Sequence, residues 1–174
     1  MTIIQYEELS AAQAAAVMAG LAEVLDGCVA EGASIGFVSR DPLPVNRFWQ
    51  AVVADIASGD RRLLVARQQE KIVATVILQP CGMPNGRHRG EVAKLLVHPV
   101  ARRQGIAREL MRRIEQMAKQ AGLRLLVLDT RSGDVAEQLY HSLGWQTAGQ
   151  IPDYAQSTCG SYDPTTLMYK VIQA

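Results

Sequence analysis

The chain has 174 residues, of which 48% are hydrophobic and 20% are charged, as in an ordinary globular domain. With 18 basic and 17 acidic side chains its net charge is +1, which argues against nucleic acid or an anionic membrane as partner. The three cysteines form no C-x-x-C pair, and no basic, apolar leader or bilayer-spanning run is visible. We therefore expect one cytoplasmic domain over residues 1–174.

The N-terminal part of the chain combines aliphatic runs with helical spacing. In chain order it predicts a strand at 2–6, a long helix at 10–30, a second helix at 44–57 and a β-hairpin at 63–67 and 72–78. Ser10 is suited to cap the long helix, and Gly59 to close the second one. Between the two helices, Gly32 and Gly36 bracket a loop.

The C-terminal part of the chain repeats this alternation. It predicts a strand at 92–97, a helix at 105–121, a strand at 125–128, a short helix up to Gly144, and a strand pair at 145–151 and 166–172. Glu109 and Arg113 stand four residues apart on the exposed face of the long helix. Asp134, with Glu137 three residues later, predicts a capping box for the short helix. The order predicts a mixed sheet covered by helices.

Residues 91–108, EVAKLLVHPVARRQGIAR, form a strand, a basic turn and a helix start. A helix start offers free backbone N–H groups and about half a positive charge, which together favour a phosphate or pyrophosphate. Gly105 permits close approach, and Ala107 is small. Neither the nucleotide-triphosphate loop nor the dinucleotide fingerprint occurs in the sequence. Taken alone, this segment also fits a basic turn before an ordinary helix.

The order of three motifs narrows this choice. The segment R-x-x-G-x-A follows a strand ending in V-x-P, and A-x-x-x-Y-x-x-x-G-W follows later, at residues 136–145. The chain resembles the GCN5-related N-acetyltransferase (GNAT) family over essentially its whole length. Its segments GASIGF, PNG, EVAKLLVHP, LDT and GDVAE resemble the tabtoxin-resistance type of acetyltransferase. The resemblance implies an α/β (α+β) fold: a mixed, mostly antiparallel, seven-stranded twisted sheet flanked by four helices and splayed between its central parallel strands.

The resemblance also implies acetyl-CoA as acetyl donor. The pantetheine arm would pair with a strand backbone and the pyrophosphate would lie on the helix start. The implied cofactor-binding residues are Leu95, Leu96, Val97, Arg102, Arg103, Gln104, Gly105, Ile106, Ala107 and Arg108. Pairing with the arm requires a strand edge without a neighbour, which a bulge near residues 91–94 would provide. Many relatives have glycine in place of Ala107. Many also have an asparagine that contacts the cofactor arm from the loop at 130–134, which contains no asparagine here.

Acetyl transfer to an amine poses two proton problems. An alkyl amine has a pKa near 10.4, so about one molecule in a thousand is nucleophilic at pH 7, and a base must take its proton. Tyr140, at the position of the family tyrosine, can protonate the leaving thiolate; the alternative is a half-buried aromatic bonded to backbone. Glu91 and Asp129 are the candidate bases, since burial beside apolar runs raises a carboxylate pKa. Either can instead anchor the substrate ammonium. The structural alternative for Glu91 is a solvated charge at a strand entrance, and for Asp129 it is a loop cap.

Other residues carry weaker signals. His88, His98 and His141 lack the spacing of a metal site, so we expect no metal. Trp49 and Trp145 are expected in the core. The loops at residues 32–37 and 154–165 are candidates for the wall of a substrate cleft.

Three functions remain open on the sequence. The preferred one is an acetyl-CoA-dependent N-acetyltransferase in which a small-molecule primary amine, such as an amino-acid-like toxin or antibiotic, attacks directly. The alternatives are a protein N-terminal acetyltransferase and a non-catalytic acyl-CoA-binding module. The family resemblance makes a homodimer plausible.

Overall fold

The computed structural model describes residues 2–173, so the two ends of the predicted domain, Met1 and Ala174, lie outside it. Seven strands form one sheet in the order β1-β2-β3-β4-β5-β7-β6. The strands are β1 (Ile4–Leu9), β2 (Arg62–Gln68), β3 (Lys71–Pro80), β4 (Arg89–Val97), β5 (Leu125–Arg131), β6 (Gln146–Gln156) and β7 (Tyr162–Val171). The helices are α1 (Ala11–Ala16), α2 (Met18–Ala30), α3 (Pro42–Ser58), α4 (Ile106–Gln120) and α5 (Val135–Ser142). Within residues 2–173, no helix is long and apolar enough to cross a membrane.

The helix predicted at residues 10–30 is interrupted, which gives five α-helices within residues 2–173 instead of four. Ser10 caps α1 as predicted: its hydroxyl accepts from the Gln13 amide at 3.2 Å, and the Gln13 side chain accepts from the Ser10 amide at 2.9 Å. Val17 then leaves the helical region at ψ 19°, and its amide bonds only three residues back, to Ala14, at 3.2 Å. Helical periodicity continues across Val17, so the sequence pattern does not reveal the break.

The sheet separates two hydrophobic clusters. One lies under α4 and α5 and includes Ile114, Leu126 and Trp145. The other lies under α1, α2 and α3 and includes Trp49, which has no exposed surface. Both tryptophans are therefore core residues, as predicted. Burying one aliphatic side chain, such as Ile114 or Leu126, stabilises the fold by about 1.5–3 kcal/mol.

The central strands diverge. Within the described residues, neighbouring strands pair antiparallel except β4 and β5, which are parallel and pair at only three positions, ending with Glu91 opposite Val127. Beyond that point β4 keeps its pairing with β3, and β5 its pairing with β7. The predicted splay between the central parallel strands is thus present.

A β-bulge on β4 accompanies this divergence, at the end of the 91–94 segment where the family resemblance implied one. Thr75 pairs with Leu96 and Ile77 with Ala93, so two residues of β4 oppose a single residue of β3 between them. One of the two is Lys94, at φ 52°, whose carbonyl accepts from the Thr75 hydroxyl at 2.9 Å. The extra residue inverts the alternation of side chains along β4.

The start of α5 differs from the prediction. β5 continues to Arg131, so Asp129 lies inside the strand and not at its end. Asp134 occupies the N-cap position, but its carboxylate accepts from the Arg131 guanidinium at 3.0 Å and not from a helix amide. Glu137 reaches back to the amide of Gly133 at 2.7 Å. The predicted capping box is therefore wrong, because the Asp134 carboxylate binds the Arg131 guanidinium and not a helix amide.

Candidate active site

The divergence of β4 and β5 opens a cleft of about 360 Å³. β4 and β5 form its floor, and the predicted wall loop at residues 32–37 contributes Ala33 to Gly36 on one side. The predicted loop at 154–165 is mostly strand, since the end of β6 contributes Tyr154 and Ala155 and the start of β7 contributes Pro164 and Thr165 on another side. Arg131 ties these walls together: its guanidinium donates to the Gly32 carbonyl at 3.0 Å and lies 3.6 Å from Asp163. The structure thus brings both predicted wall segments to one cleft.

Two of the predicted cofactor-arm residues line this cleft. Leu95 and Leu96 contribute to its wall, where the edge of β4 that faces β5 has no strand partner. Val97 lies further along the strand, and its carbonyl already accepts from the Cys28 thiol and from the Arg102 guanidinium, both at 3.4 Å. An extended ligand can pair with an edge of this kind through backbone hydrogen bonds.

The start of α4 presents the second half of the predicted cofactor site. Gly105 is the N-cap at φ 73°, a left-handed conformation that side chains rarely adopt, and no atom lies within 4 Å of where its Cβ would be. Within residues 2–173, none of the amides from Gly105 to Arg108 donates to a backbone carbonyl outside α4. Arg102, Arg103 and Gln104 are exposed beside them. These groups form a positive, open cradle suited to a pyrophosphate.

Three side chains of this turn hold it in place. Ile106 is 2% exposed and packs in the cluster beneath α4. The Gln104 amide group donates to the Ala101 carbonyl at 3.2 Å, and Arg108 donates to the Ser142 hydroxyl on α5 at 3.0 Å. The turn is thus anchored to both the core and the neighbouring helix.

Glu91 and Asp129 both line the cleft where the strands part. Side chains alternate along a strand, and Asp129 is two residues beyond Val127, the partner of Glu91, so the two carboxylates lie on the same face of the sheet. Asp129 accepts from the Thr165 hydroxyl at 3.1 Å, which makes it a cleft residue and not a loop cap. Both residues are exposed. The expected burial is therefore wrong, because the diverging strands leave the cleft open to water.

Tyr140 reaches the cleft from α5 and is 7% exposed. Burial raises the pKa of its phenol, and the negative charges of Asp129 and Asp134 raise it further. The group therefore stays protonated at physiological pH and can donate a proton. Within the described residues its hydroxyl does not bond to backbone, which was the structural alternative; its ring lies 6.1 Å from that of Trp145.

Lys94 is a cleft residue that the sequence did not single out. Its ammonium lies 5.1 Å from the centre of the Phe48 ring on α3. Burial lowers its pKa, the carboxylates of Asp129 and Glu91 oppose this, and the nearby Arg61 lowers it further. A lysine inside the apolar run of β4 was the available signal, but the bulge that turns it into the cleft was not readable from the pattern.

Two further titratable residues, His98 and Cys28, lie outside the cleft lining. His98 accepts from the amide of Val100 at 3.3 Å and so holds the turn after β4. Cys28 is buried, and desolvation raises the pKa of its thiol. Within residues 2–173, no three His, Cys, Asp or Glu side chains are grouped as metal ligands.

The chain is similar to known proteins in sequence and in fold. The sequence profile described as the Acetyltransferase (GNAT) family matches residues 32–145. The chain is 38% identical over 88 residues to human N-acetyltransferase 8 (Homo sapiens), an alignment covering 49% of this chain and 39% of that relative. It therefore spans well under half the length of that relative.

Two solved structures illustrate the shared fold. The ribosomal-protein-alanine N-acetyltransferase of Brucella melitensis superposes with a TM-score of 0.78 at 20% identity, covering 97% of this chain and 99% of that one. The yncA protein of Salmonella typhimurium, solved with its cofactor acetyl-CoA, superposes with a TM-score of 0.76 at 20% identity, covering 97% and 93%.

Proposed function

Because the chain belongs to the acetyltransferase (GNAT) family, we propose that it transfers the acetyl group of acetyl-CoA to the primary amine of a small molecule. The observation that carries the proposal is the divergence of β4 and β5 directly before the open start of α4. One element supplies an unpaired strand edge, and the other supplies free amides with positive charge. A ligand with an amide-bearing arm and a pyrophosphate fits both.

The residues that hold the donor divide between these two elements. The backbone of Leu95, Leu96 and Val97 would pair with the pantetheine arm, with the Val97 carbonyl released from its two long contacts. The pyrophosphate would be held by the following residues: Arg102, Arg103, Gln104, Gly105, Ile106, Ala107 and Arg108. Ala107 leaves the first turn of α4 uncrowded, as the glycine of many relatives does. Acetyl-CoA supplies the activated acyl group.

The chain's own side chains handle the protons. Glu91 and Asp129 lie on the face of the sheet that the cleft exposes, where either can accept the amine proton, directly or through water. Tyr140 is buried and protonated, so it can donate as charge grows on the departing sulfur. The amine attacks the thioester directly, so no covalent enzyme intermediate is required.

The acceptor is proposed to be amino-acid-like. Segments such as GASIGF and EVAKLLVHP resemble the tabtoxin-resistance type, and the first of them provides a wall of the cleft. A protein N-terminus is the second candidate acceptor, favoured by the exposure of Glu91 and Asp129. The Brucella protein is a ribosomal-protein-alanine N-acetyltransferase by name, but at 20% identity its likeness concerns the fold.

A thiol-release assay tests the proposal. Acetyl-CoA is incubated with the protein and a panel of amino acids, polyamines, aminoglycosides and peptides, and free CoA is measured. Amine-dependent release, with an N-acetylated product, is the expected result. Binding of acetyl-CoA without release on any amine would instead support a non-catalytic acyl-CoA-binding module.

A further inference from the structure

Lys94 places a positive charge on the acceptor side of the cleft. Val92 packs into the cluster beneath α4, and a regular strand would turn Lys94 to the same face. The bulge, with Lys94 at φ 52°, instead directs its side chain to Phe48 on α3. The same bulge that frees the strand edge thus aims a cation into the cleft.

The ammonium of Lys94 forms no ion pair with Glu91 or Asp129, whose negative charges act on it only from a longer distance. Within residues 2–173, no carboxylate lies within the 4.0 Å of an ion pair with it. Its neighbour Arg61, 5.8 Å from the same Phe48 ring, differs in this respect, since it lies 3.2 Å from Asp55. A partly buried cation costs free energy unless an anion or hydrogen-bond acceptor compensates it.

Lys94 lines the cleft of about 360 Å³, which can admit such an anion. On one side the loop from Ala33 to Gly36 lies close to the ammonium, since a Cβ on Gly36 would be 4.0 Å from it. Glu91 and Asp129 lie on the same face of the sheet, further toward the fork. The cleft therefore offers carboxylates for an ammonium and, beside them, an ammonium that has no ion-pair partner among the described residues and can bind a carboxylate.

We propose that Lys94 is a specificity-determining residue that binds the carboxylate of an amino-acid acceptor whose amine is held by Glu91 and Asp129. The inference rests on the proposed function, because it places the acceptor in this cleft. It separates the two candidate acceptors, since a peptide N-terminus carries an amide where a free amino acid carries its carboxylate.

Matched acids and amides test this assignment. Free amino acids and their carboxamides are compared as acceptors in the thiol-release assay with saturating acetyl-CoA. The kcat/KM of the acid should exceed that of its amide by at least about tenfold, which corresponds to one charge-assisted hydrogen bond. Lys94→Met should bring this ratio close to one while leaving the KM for acetyl-CoA unchanged, and Lys94→Arg should retain most of the preference.

Lys71→Met is the matched control, because Lys71 is an exposed lysine in the β2–β3 hairpin, and it should leave the ratio unchanged. Equal use of acids and amides by the wild-type protein would overturn the inference. So would a Lys94→Met variant that loses activity equally on both, since that is the signature of a lysine that only balances the charge of Glu91 and Asp129.

A binding measurement keeps this test independent of turnover. With CoA present, N-acetyl amino acids and their N-acetyl carboxamides are titrated into the protein by calorimetry. Tighter binding of the acid, lost in Lys94→Met, supports the assignment, and equal affinities or no binding of either overturn it. Turnover of amines without an acid preference sinks this inference alone, whereas failure of the wild-type protein to bind acetyl-CoA sinks the proposed function.

Discussion

Glu91 and Val127 are the last residues at which β4 and β5 pair. One residue later the strands separate, and the side chains just past that point line the cleft. The end of a single parallel ladder therefore decides where a ligand arm can enter the sheet, and it places a carboxylate from each strand beside the entrance.

Tyr140→Phe is expected to lower kcat by about 10²-fold or more, because it removes the proposed proton donor. The affinity for acetyl-CoA should stay the same. Since the Tyr140 hydroxyl is not bonded to backbone among the described residues, its loss should shift Tm by less than about 2 °C. Steady-state kinetics with thermal unfolding check this. Unchanged kcat would remove Tyr140 from the chemistry.

The pH dependence of Tyr140 has a defined sign. Its pKa is raised above the ordinary value of 10.0, so the phenol remains protonated throughout the neutral and mildly alkaline range. Any loss of wild-type kcat between about pH 7 and pH 9 should therefore also appear in the Tyr140→Phe variant. A decline present only when the tyrosine is present would contradict its assignment as a buried proton donor.

Asp129→Asn and Glu91→Gln are expected to separate the two candidate bases. In the variant that removes the base, kcat/KM should drop by about 10²-fold or more, and the fall in rate on the acidic side of the pH profile should disappear. The other should change mainly the KM of the amine. Glu70→Gln, an exposed change in the β2–β3 turn, is the control. A full acidic limb in both variants would exclude both residues as the base.

Glu109 links stability to pH. Hydrogen bonds from Arg112 and Arg113 lower the pKa of Glu109 to about 2. A lowered native pKa stabilises the fold above the unfolded pKa, and this stabilisation is lost as the pH falls through the native value. Glu109→Gln should therefore lower the free energy of unfolding by about 0.5–1 kcal/mol at pH 7, since the pair is largely solvated. In urea titrations, the difference in free energy of unfolding between Glu109→Gln and wild type should shrink toward pH 2. The control variant Glu31→Gln should show no such change, and a constant difference for Glu109→Gln would contradict this.

The sequence predicted those parts of the structure that depend on local chemistry. The open start of α4 follows from Gly105 and the arginines before it, and the Ser10 cap follows from the hydroxyl and the glutamine three residues later. The splay and the β4 bulge came from the family resemblance, because an arm can pair only with an unpaired strand edge. The pairing between strands that are distant along the chain leaves no periodic pattern in the sequence.

The errors share a cause, which is that tertiary contacts override local patterns. The Asp134 carboxylate, which was predicted to cap α5, binds the Arg131 guanidinium instead. Glu91 precedes an apolar run and Asp129 follows one, but both face the opened fork, so water reaches them. Lys94 was missed because its orientation depends on one extra residue in a strand register, which inverts inside and outside.

Calorimetric titration of acetyl-CoA into the wild-type protein and Ala107→Glu tests the central claim most directly. Glutamate in the first turn of α4 adds bulk and negative charge to the proposed cradle, so the affinity should fall at least tenfold, about 1.4 kcal/mol. Ala54→Glu, the same change on the exposed face of α3, should bind like wild type. Equal affinity of all three proteins, or no binding by wild type, would contradict the account.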